Sequence, residues 1–224
     1  MPDSTQTFGA ATALGTYAGW KITGSTNPAT STERGQAMDE LGNEVASKLF
    51  NTKTDYSGSY ECNNDTNTLP TIIGALVGTT AILTGINITT SNKAAAKMDL
   101  SAHNHATVAH TNTLLQAVHG ITVSKFWGGI DFLGGTGDTG ATVVSGTISI
   151  ACQHQDVEDE DGDHCAGQNN GCMITATTVW QGIVTTAAEA GWDVTANDVA
   201  TSNTGVKTTT ITATKKLTLA APTP

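Results

Sequence analysis

Two runs of alternating apolar and polar residues stand out in the chain. They cover residues 143–152 and 173–180, and alternation with a period of two is typical of strands with one buried face. The stretch between them contains an Asp161-Gly162 dipeptide, which favours a tight hairpin turn. The sequence therefore predicts a β-hairpin whose long, charged tip projects into solvent or toward a partner. The acidic residues of this tip are Asp156, Glu158, Asp159, Glu160, Asp161 and Asp163.

A second segment, residues 33–50, allows two interpretations. One is a hairpin that turns at residues 39–43. Alignment with the acidic hairpin favours it, because residues 39–46 and 159–166 share Asp, Glu, Gly and Ala at equivalent positions. The two segments could be copies of a duplicated strand–turn–strand unit. The other interpretation is a helix with one apolar face, formed by Met38, Leu41, Val45 and Leu49.

Other apolar or alternating segments predict further elements. The turn Ser91-Asn92-Lys93 leads into residues 94–102, which fit a strand or a short helix. Residues 106–119 are the best helix candidate, since they carry Val108, Leu114, Leu115 and Val118, and Gly120 follows them as a stop signal. The remaining predicted strands cover residues 16–23, 54–61, 121–127 and 207–219, with a central hairpin within residues 69–88.

The composition favours β-structure. The 224 residues include 41 threonines and 24 glycines, and only 13% are charged. Threonine favours strands and glycine favours turns and bulges. We therefore predict a mainly β fold, an antiparallel β-sandwich or barrel with long loops and one short helix. The expected organisation is an extended N-terminal arm (residues 1–32), a single β domain (33–219) and a loose tail (220–224).

The charge balance limits the classes of function. A net charge of −10 argues against a surface that grips nucleic acid, since that requires Lys and Arg against the phosphates. No apolar run reaches the roughly 18 residues of a membrane span, and no secretory signal is predicted. The four cysteines are too sparse for a disulfide-rich secreted domain. We therefore expect a protein made in the cytoplasm with reduced thiols.

Three patterns point toward chemistry, and each has a simpler explanation. Asp138-Thr139-Gly140 matches the aspartic-protease triplet, but the mechanism needs two aspartates and no second triplet occurs. The acidic tip does not place ligands as an EF-hand does. Histidine and cysteine residues that could bind zinc are present, but they do not have a standard ligand spacing. From these three patterns together we predict no metal, no cofactor and no catalytic residue, and a protein that is not an enzyme. The residues considered for zinc are His103, His105, His110, His119, Cys152, His154, His164, Cys165 and Cys172.

Several segments resemble virion structural proteins of tailed bacteriophages, and most closely the tail-tube, or major tail, proteins. The resemblance covers about half of the chain and rests on turns followed by alternating strands. The segments that carry it are Gly42-Asn43-Glu44-Val45-Ala46 before the strand with Tyr56 and Tyr60, residues 69–74, Ser91-Asn92-Lys93, and the Asp161-Gly162-Asp163 hairpin.

The resemblance implies a virion protein, assembled in the host cytoplasm, whose subunits form rings, commonly six-fold, that stack into a tube. An acidic lumen would repel DNA phosphates and let the genome pass. On this reading the acidic tip faces the lumen or a neighbouring subunit, and the partners are copies of the chain and other virion proteins. The alternatives are a capsid-decorating or baseplate-associated protein, a non-viral surface filament, and an enzyme or metal-dependent binding module.

Overall fold

The chain folds mainly into antiparallel β-strands, as the sequence predicted. The computed structural model describes residues 14–25, 28–69, 72–73, 76–77, 81–105, 116–117, 123–137, 140–162, 164–186, 188–201 and 205–217. Within these ranges the strands are β1 (Trp20–Ser25), β2 (Ala29–Met38), β3 (Glu44–Cys62), β4 (Ile72–Ile73), β5 (Leu76–Val77), β6 (Ala81–Ser91), β7 (Ala94–His105), β8 (Gln116–Ala117), β9 (Thr136–Gly137), β10 (Thr142–Glu158), β11 (His164–Gln181), β12 (Val184–Thr186), β13 (Asp193–Ala200) and β14 (Thr208–Lys216).

Ten of these strands form one antiparallel sheet. Its order is β1-β3-β7-β6-β10-β11-β14-β13, and β2 also pairs with β3 while β5 pairs with β6. The strands β1 and β2 pair with different parts of β3, residues 58–62 and 44–55. They therefore form one edge of the sheet, and β13 forms the other. Within the described residues no pairing joins the two edges, so the sheet is open. Two small sheets, β9–β12 and β4–β8, complete the described strands.

The hydrophobic core lies on one face of the sheet. Register pairs Ile88 with Ile148 and Ile86 with Ile150, so alternate residues of neighbouring strands point to the same side. Loop residues such as Ile130 and Leu133 pack over this face. The buried strand residues of the core include Tyr60, Ile86, Ile88, Met98, Leu100, Ile148, Ile150, Ile174, Ala176, Ile211 and Ala213.

The opposite face of the sheet explains the threonine content. Thr147 on β10 and Thr175 and Thr177 on β11 are half-buried there. The hydroxyl groups of Thr177 and Thr212, on neighbouring strands, lie 3.1 Å apart. β-Branched threonine suits a pleated surface that is only partly covered, so the sheet has one apolar and one polar face.

The loop after residue 123 contacts the sheet closely at Gly146. A Cβ atom at this position would collide with the carbonyl group of Ile130. Buried Thr90 bonds both segments: its hydroxyl donates to the Gly146 carbonyl at 3.1 Å and accepts the Ile130 amide at 3.0 Å. The loop can therefore pack on the sheet because Gly146 has no side chain and because the buried Thr90 hydroxyl is hydrogen-bonded to both segments.

Part of the segment expected to be an N-terminal arm lies in the domain. Leu14 and Trp20 are buried in the core, and β1 and the start of β2 pair with β3. The ring of Tyr17 packs edge-on against Tyr60 at 5.6 Å, and the Tyr60 hydroxyl donates to the Gly15 carbonyl. Burial, with a smaller effect of Tyr17, raises the pKa of Tyr60 to about 12. Residues 1–13 and 218–224 lie outside the described residues.

The middle of the chain differs from the sequence prediction at two of three segments. The short helix is not confirmed: most of residues 106–119 lie outside the described part, and Gln116–Ala117 forms strand β8. Residues 94–102 lie in strand β7. The strand over residues 121–127 is wrong for its described part, which makes one isolated bridge, between Trp127 and Ala95. Side chains replace strand partners there, since Asn67 donates to the Val123 carbonyl and Asp65 accepts the Phe126 amide.

Candidate assembly surface

Two hairpins extend beyond the same end of the sheet. The first arm, residues 29–51, consists of β2 and the start of β3, and it confirms the hairpin interpretation of residues 33–50. The second arm, residues 153–170, is the outer part of the β10–β11 hairpin. Neighbouring strands stop before the arms: β7 pairs with β3 only from Lys53, and β6 pairs with β10 only as far as Ala151. The arms are therefore projections from the sheet.

The turn at the tip of the first arm is closed by Asp39. Its carboxylate accepts the backbone amides of Asn43 at 2.7 Å and Leu41 at 2.9 Å, and the Asn43 side-chain amide at 3.1 Å. The Gly42 amide donates to the Asp39 carbonyl, and Gly42 has a φ of +80°. The hydrogen bonds from Asn43 hold the pKa of Asp39 below its ordinary value.

The turn of the second arm repeats this geometry. The Asp159 carboxylate accepts the Asp161 amide at 3.0 Å, and the Gly162 amide donates to the Asp159 carbonyl. Gly162 has a φ of +78° and corresponds to Gly42. An aspartate that bonds the backbone two residues on, followed by a left-handed glycine, is typical of tight turns. The octet alignment of the two segments therefore reflects a shared turn conformation.

The two arms contact each other near their tips. The Lys48 ammonium group donates to the Asp161 carbonyl at 2.8 Å and lies 3.3 Å from the Asp161 carboxylate. A Cβ atom on Gly162 would lie 3.1 Å from the Phe50 ring, so the ring packs against the second turn. The arms thus form one paired projection.

Asn51 links the arms closer to the sheet. It lies at a register shift between β2 and β3, and its φ of +49° is the only positive value of a described non-glycine residue. Its side-chain amide donates to Glu33 of the first arm and to Glu158 of the second, both at 2.8 Å. One neutral amide therefore holds two carboxylates that repel each other.

Large apolar side chains are exposed on the first arm. Leu41 at the tip is 81% exposed, although isolated proteins rarely expose several such residues together. Hydrogen bonds from Arg34 and Gln36 to Glu44 order the strands beneath them. The tip of the first arm is therefore an ordered and exposed apolar patch. The other exposed apolar residues of the arm are Met38, Val45 and Leu49.

The arms also hold most of the negative charge. Residues 29–51 and 153–170 contain ten acidic and two basic residues, a net charge of −8 out of −10 for the chain. The remainder, with ten acidic and eight basic residues, is nearly neutral. The acidic character of the protein is therefore a property of one end of the molecule.

A disulfide marks the base of the second arm. Half-buried Cys152 on β10 is bonded to buried Cys172 on β11, where the β10–β11 register shifts and the sheet neighbours end. The expectation of reduced thiols is therefore wrong for this pair, because adjacent strands bring the two sulfur atoms together. The bond also removes both cysteines as zinc ligands. Cys62 is a free, buried thiol whose pKa is raised by burial.

The predicted acidic residues fall into distinct environments. Asp156 is partly buried, with a carboxylate oxygen 3.9 Å from Nε2 of buried His103, whereas Glu160 is exposed at the turn. Glu158 bonds Asn51, Asp159 closes its turn and Asp161 meets Lys48. Asp163 lies outside the described residues. Sequence analysis missed Lys48 and Asn51, since only the folded arms bring them to residues 113 and 107 positions away.

The opposite end of the sheet carries exposed aromatic side chains. Phe126 and Trp127 are 37% and 52% exposed. Their backbone is fixed to the β6–β7 hairpin, because the Phe126 carbonyl accepts the Ala96 amide at 2.7 Å and the Gly128 amide donates to the Ser91 carbonyl at 3.1 Å. We call residues 91–97 with residues 125–128 the aromatic end.

The zinc and protease candidates lie partly outside the described residues. Among the described residues no cluster of three or more His, Cys, Asp or Glu side chains could hold a metal ion. Asp138 and Thr139 of the protease triplet lie outside the described part, as do the side chains of His105, His154, His164 and Cys165.

None of the described residues forms a helix with the length and apolar character of a membrane span. No family model and no curated protein matches the sequence.

Proposed function

We propose that the protein is a self-assembling structural subunit of a phage tail tube, forming stacked rings through which DNA passes. The resemblance of its turn and strand segments to tail-tube proteins is one support. The open sheet is the observation that carries the proposal.

Among the described strands, the open sheet leaves two rows of edge backbone groups without a strand partner. One row lies on β1 and β2, and the other on β13, at opposite ends of the strand order. Val194 and Val199 on β13 are 45% and 54% exposed. An edge strand with exposed apolar side chains tends to pair with another chain. If β13 of one subunit pairs with the β1/β2 edge of the next, the contact is heterologous and closes into a ring when the rotation allows.

The distribution of charge suits a channel for DNA. An acidic surface repels phosphates, and here the negative charge is concentrated on the arms. We propose that the arms border the channel or the neighbouring ring. The polar threonine face of the sheet offers uncharged hydroxyl groups, which bind phosphates more weakly than lysine or arginine.

Negative-stain electron microscopy over a concentration series, with light scattering, tests the proposal. We expect rings or tubes of uniform width. Glutamate at both Val194 and Val199 should abolish ring formation, while Thr89→Glu, on an exposed mid-sheet position, should not. A stable monomer at every concentration would contradict the tube and favour a decorating role in the virion.

A further inference from the structure

We propose that the paired arms of one subunit dock on the aromatic end of a second copy of the chain. This inference rests on the proposed function and deepens it, because it names the surfaces that join one ring to the next. It starts from the placement of two unlike exposed patches at opposite ends of the same sheet.

Both patches are apolar and ordered. On the arms, Leu41 is 81% and Met38 55% exposed, on a turn closed by the Asp39 hydrogen bonds. On the aromatic end, Trp127 is 52% exposed on a backbone fixed to β6 and β7. Exposed Trp and Phe on a rigid backbone are the anchors that dominate protein interfaces. Little ordering entropy is lost when two fixed patches meet.

The two patches differ in charge. The arms have a net charge of −8. At the aromatic end, Lys93 and Lys125 are exposed, while Glu61 lies opposite Lys97 in the register and the Asp65 carboxylate accepts the Phe126 amide. Counted against Lys93, Lys97 and Lys125, these two carboxylates leave the aromatic end with a net charge of +1, opposite in sign to that of the arms.

Charge opposes a symmetric contact between two copies. Placing arms against arms would oppose two groups of net charge −8, which is repulsive at the separations of an interface. In a contact between unlike ends, each docked copy still presents either its arms or its aromatic end to a further copy. Such a heterologous contact repeats along one direction, as stacking of rings requires.

Cysteine cross-linking between two separately purified variants tests the docking. Leu41→Cys and Trp127→Cys proteins are mixed at low concentration, concentrated, and oxidised with copper phenanthroline. We expect a covalent dimer in the mixture at least ten times more abundant than in either variant alone. A mixture of Leu41→Cys with Thr89→Cys is the matched control and should give no such dimer. Glutamate at both Lys93 and Lys125 should reduce the dimer at least tenfold at low salt.

The outcomes separate this inference from the proposed function. Tubes without the Leu41–Trp127 cross-link, or an equal link within Leu41→Cys alone, would overturn the docking and leave the tube standing. Single rings that fail to stack when Trp127 is replaced by alanine would support both. A cross-link in a protein that forms no rings would keep the docking and overturn the tube. A monomer that gives no link overturns both.

Discussion

The Lys48 ammonium group contacts both the carbonyl and the carboxylate of Asp161, at 2.8 and 3.3 Å. The two residues are 113 positions apart in sequence, and their contact joins the two hairpins. The side chains are 50% and 73% exposed, so solvent screens the pair and its contribution should be about 0.2–1 kcal/mol. We expect Lys48→Met to speed amide hydrogen exchange of the 159–162 turn by no more than about fivefold.

Lys97→Met is the control for that change, because Lys97 is exposed on β7 far from the arms. It should leave exchange at the second turn as in the unmodified protein. Unchanged exchange in both Lys48→Met and Asp161→Asn would show that the pair does not hold the arms together.

Asn51 should matter more than Lys48 for the pairing of the arms. Its amide donates to two carboxylates, Glu33 and Glu158, and hydrogen bonds to charged groups contribute about 1.5–3 kcal/mol each. Asn51→Asp preserves the shape but places a third carboxylate between the two. We expect it to separate the arms and to increase exchange in both by at least tenfold.

Asn51→Gly separates the amide bridge from backbone strain. Glycine accepts the φ of +49° without penalty, so pairing of β2 with β3 should persist while the link to Glu158 is lost. If Asn51→Gly and Asn51→Asp leave exchange in the second arm unchanged, the bridge has no role in holding the arms.

Sequence patterns predicted the hairpins better than their relation in space. Alternation gave β10, β11 and β14, and the octet alignment found two turns of matching φ, because turn chemistry is local. The contacts between the arms are made by Lys48 and Asn51, which lie in strands without any unusual pattern. Alternation also failed at residues 123–127, where the side chains of Asn67 and Asp65 bond the backbone. The disulfide could not be derived, since spacing alone does not fix the β10–β11 register.

The first arm should loosen in acid through Asp39. Its pKa is lowered mainly by hydrogen bonds from Asn43, so the charged carboxylate is favoured in the folded turn. The stabilisation is complete above the ordinary aspartate pKa and is lost as the pH falls through the lower pKa of Asp39. We expect the Gly42 amide to gain mobility over that acidic range, as followed by NMR.

Asp39→Asn is the matched variant for this titration. An asparagine oxygen still accepts backbone amides in a turn but does not titrate in this range. The acid-induced change at Gly42 should therefore disappear. If it persists with asparagine, another carboxyl group controls the turn.

Gly146 should be the least replaceable glycine of the described sheet. A methyl group there would meet the Ile130 carbonyl and, at 3.2 Å, the Phe132 ring, and backbone cannot move aside as a flexible side chain does. Overpacking of this kind costs about 1–3 kcal/mol. Gly146→Ala should lower the urea midpoint accordingly.

Gly85→Ala is the comparison within a neighbouring strand. Its added methyl group would find atoms only at 3.7 Å or beyond, an ordinary contact distance. We expect a change below about 1 kcal/mol. Equal destabilisation by the two alanines would mean that the loop after residue 123 does not pack on Gly146.

The disulfide between Cys152 and Cys172 should stabilise the second arm more than the core. It closes a loop with a sequence separation of 20, for which the loss of unfolded-state entropy corresponds to about 3 kcal/mol. Beyond it no described strand other than its own partner pairs with the hairpin, whose sequence contains six acidic residues. On reduction we expect amide protection to fall at least tenfold in residues 153–158 and much less in residues 145–150, which still pair with β6.

A protein with alanine at both Cys152 and Cys172 should show this lower protection without reductant and should not respond further to reductant. Cys62→Ala should keep the full response to reductant. Equal loss of protection in the two stretches would place the effect of the disulfide in the core and leave the arm to be held by its contacts with Lys48 and Asn51.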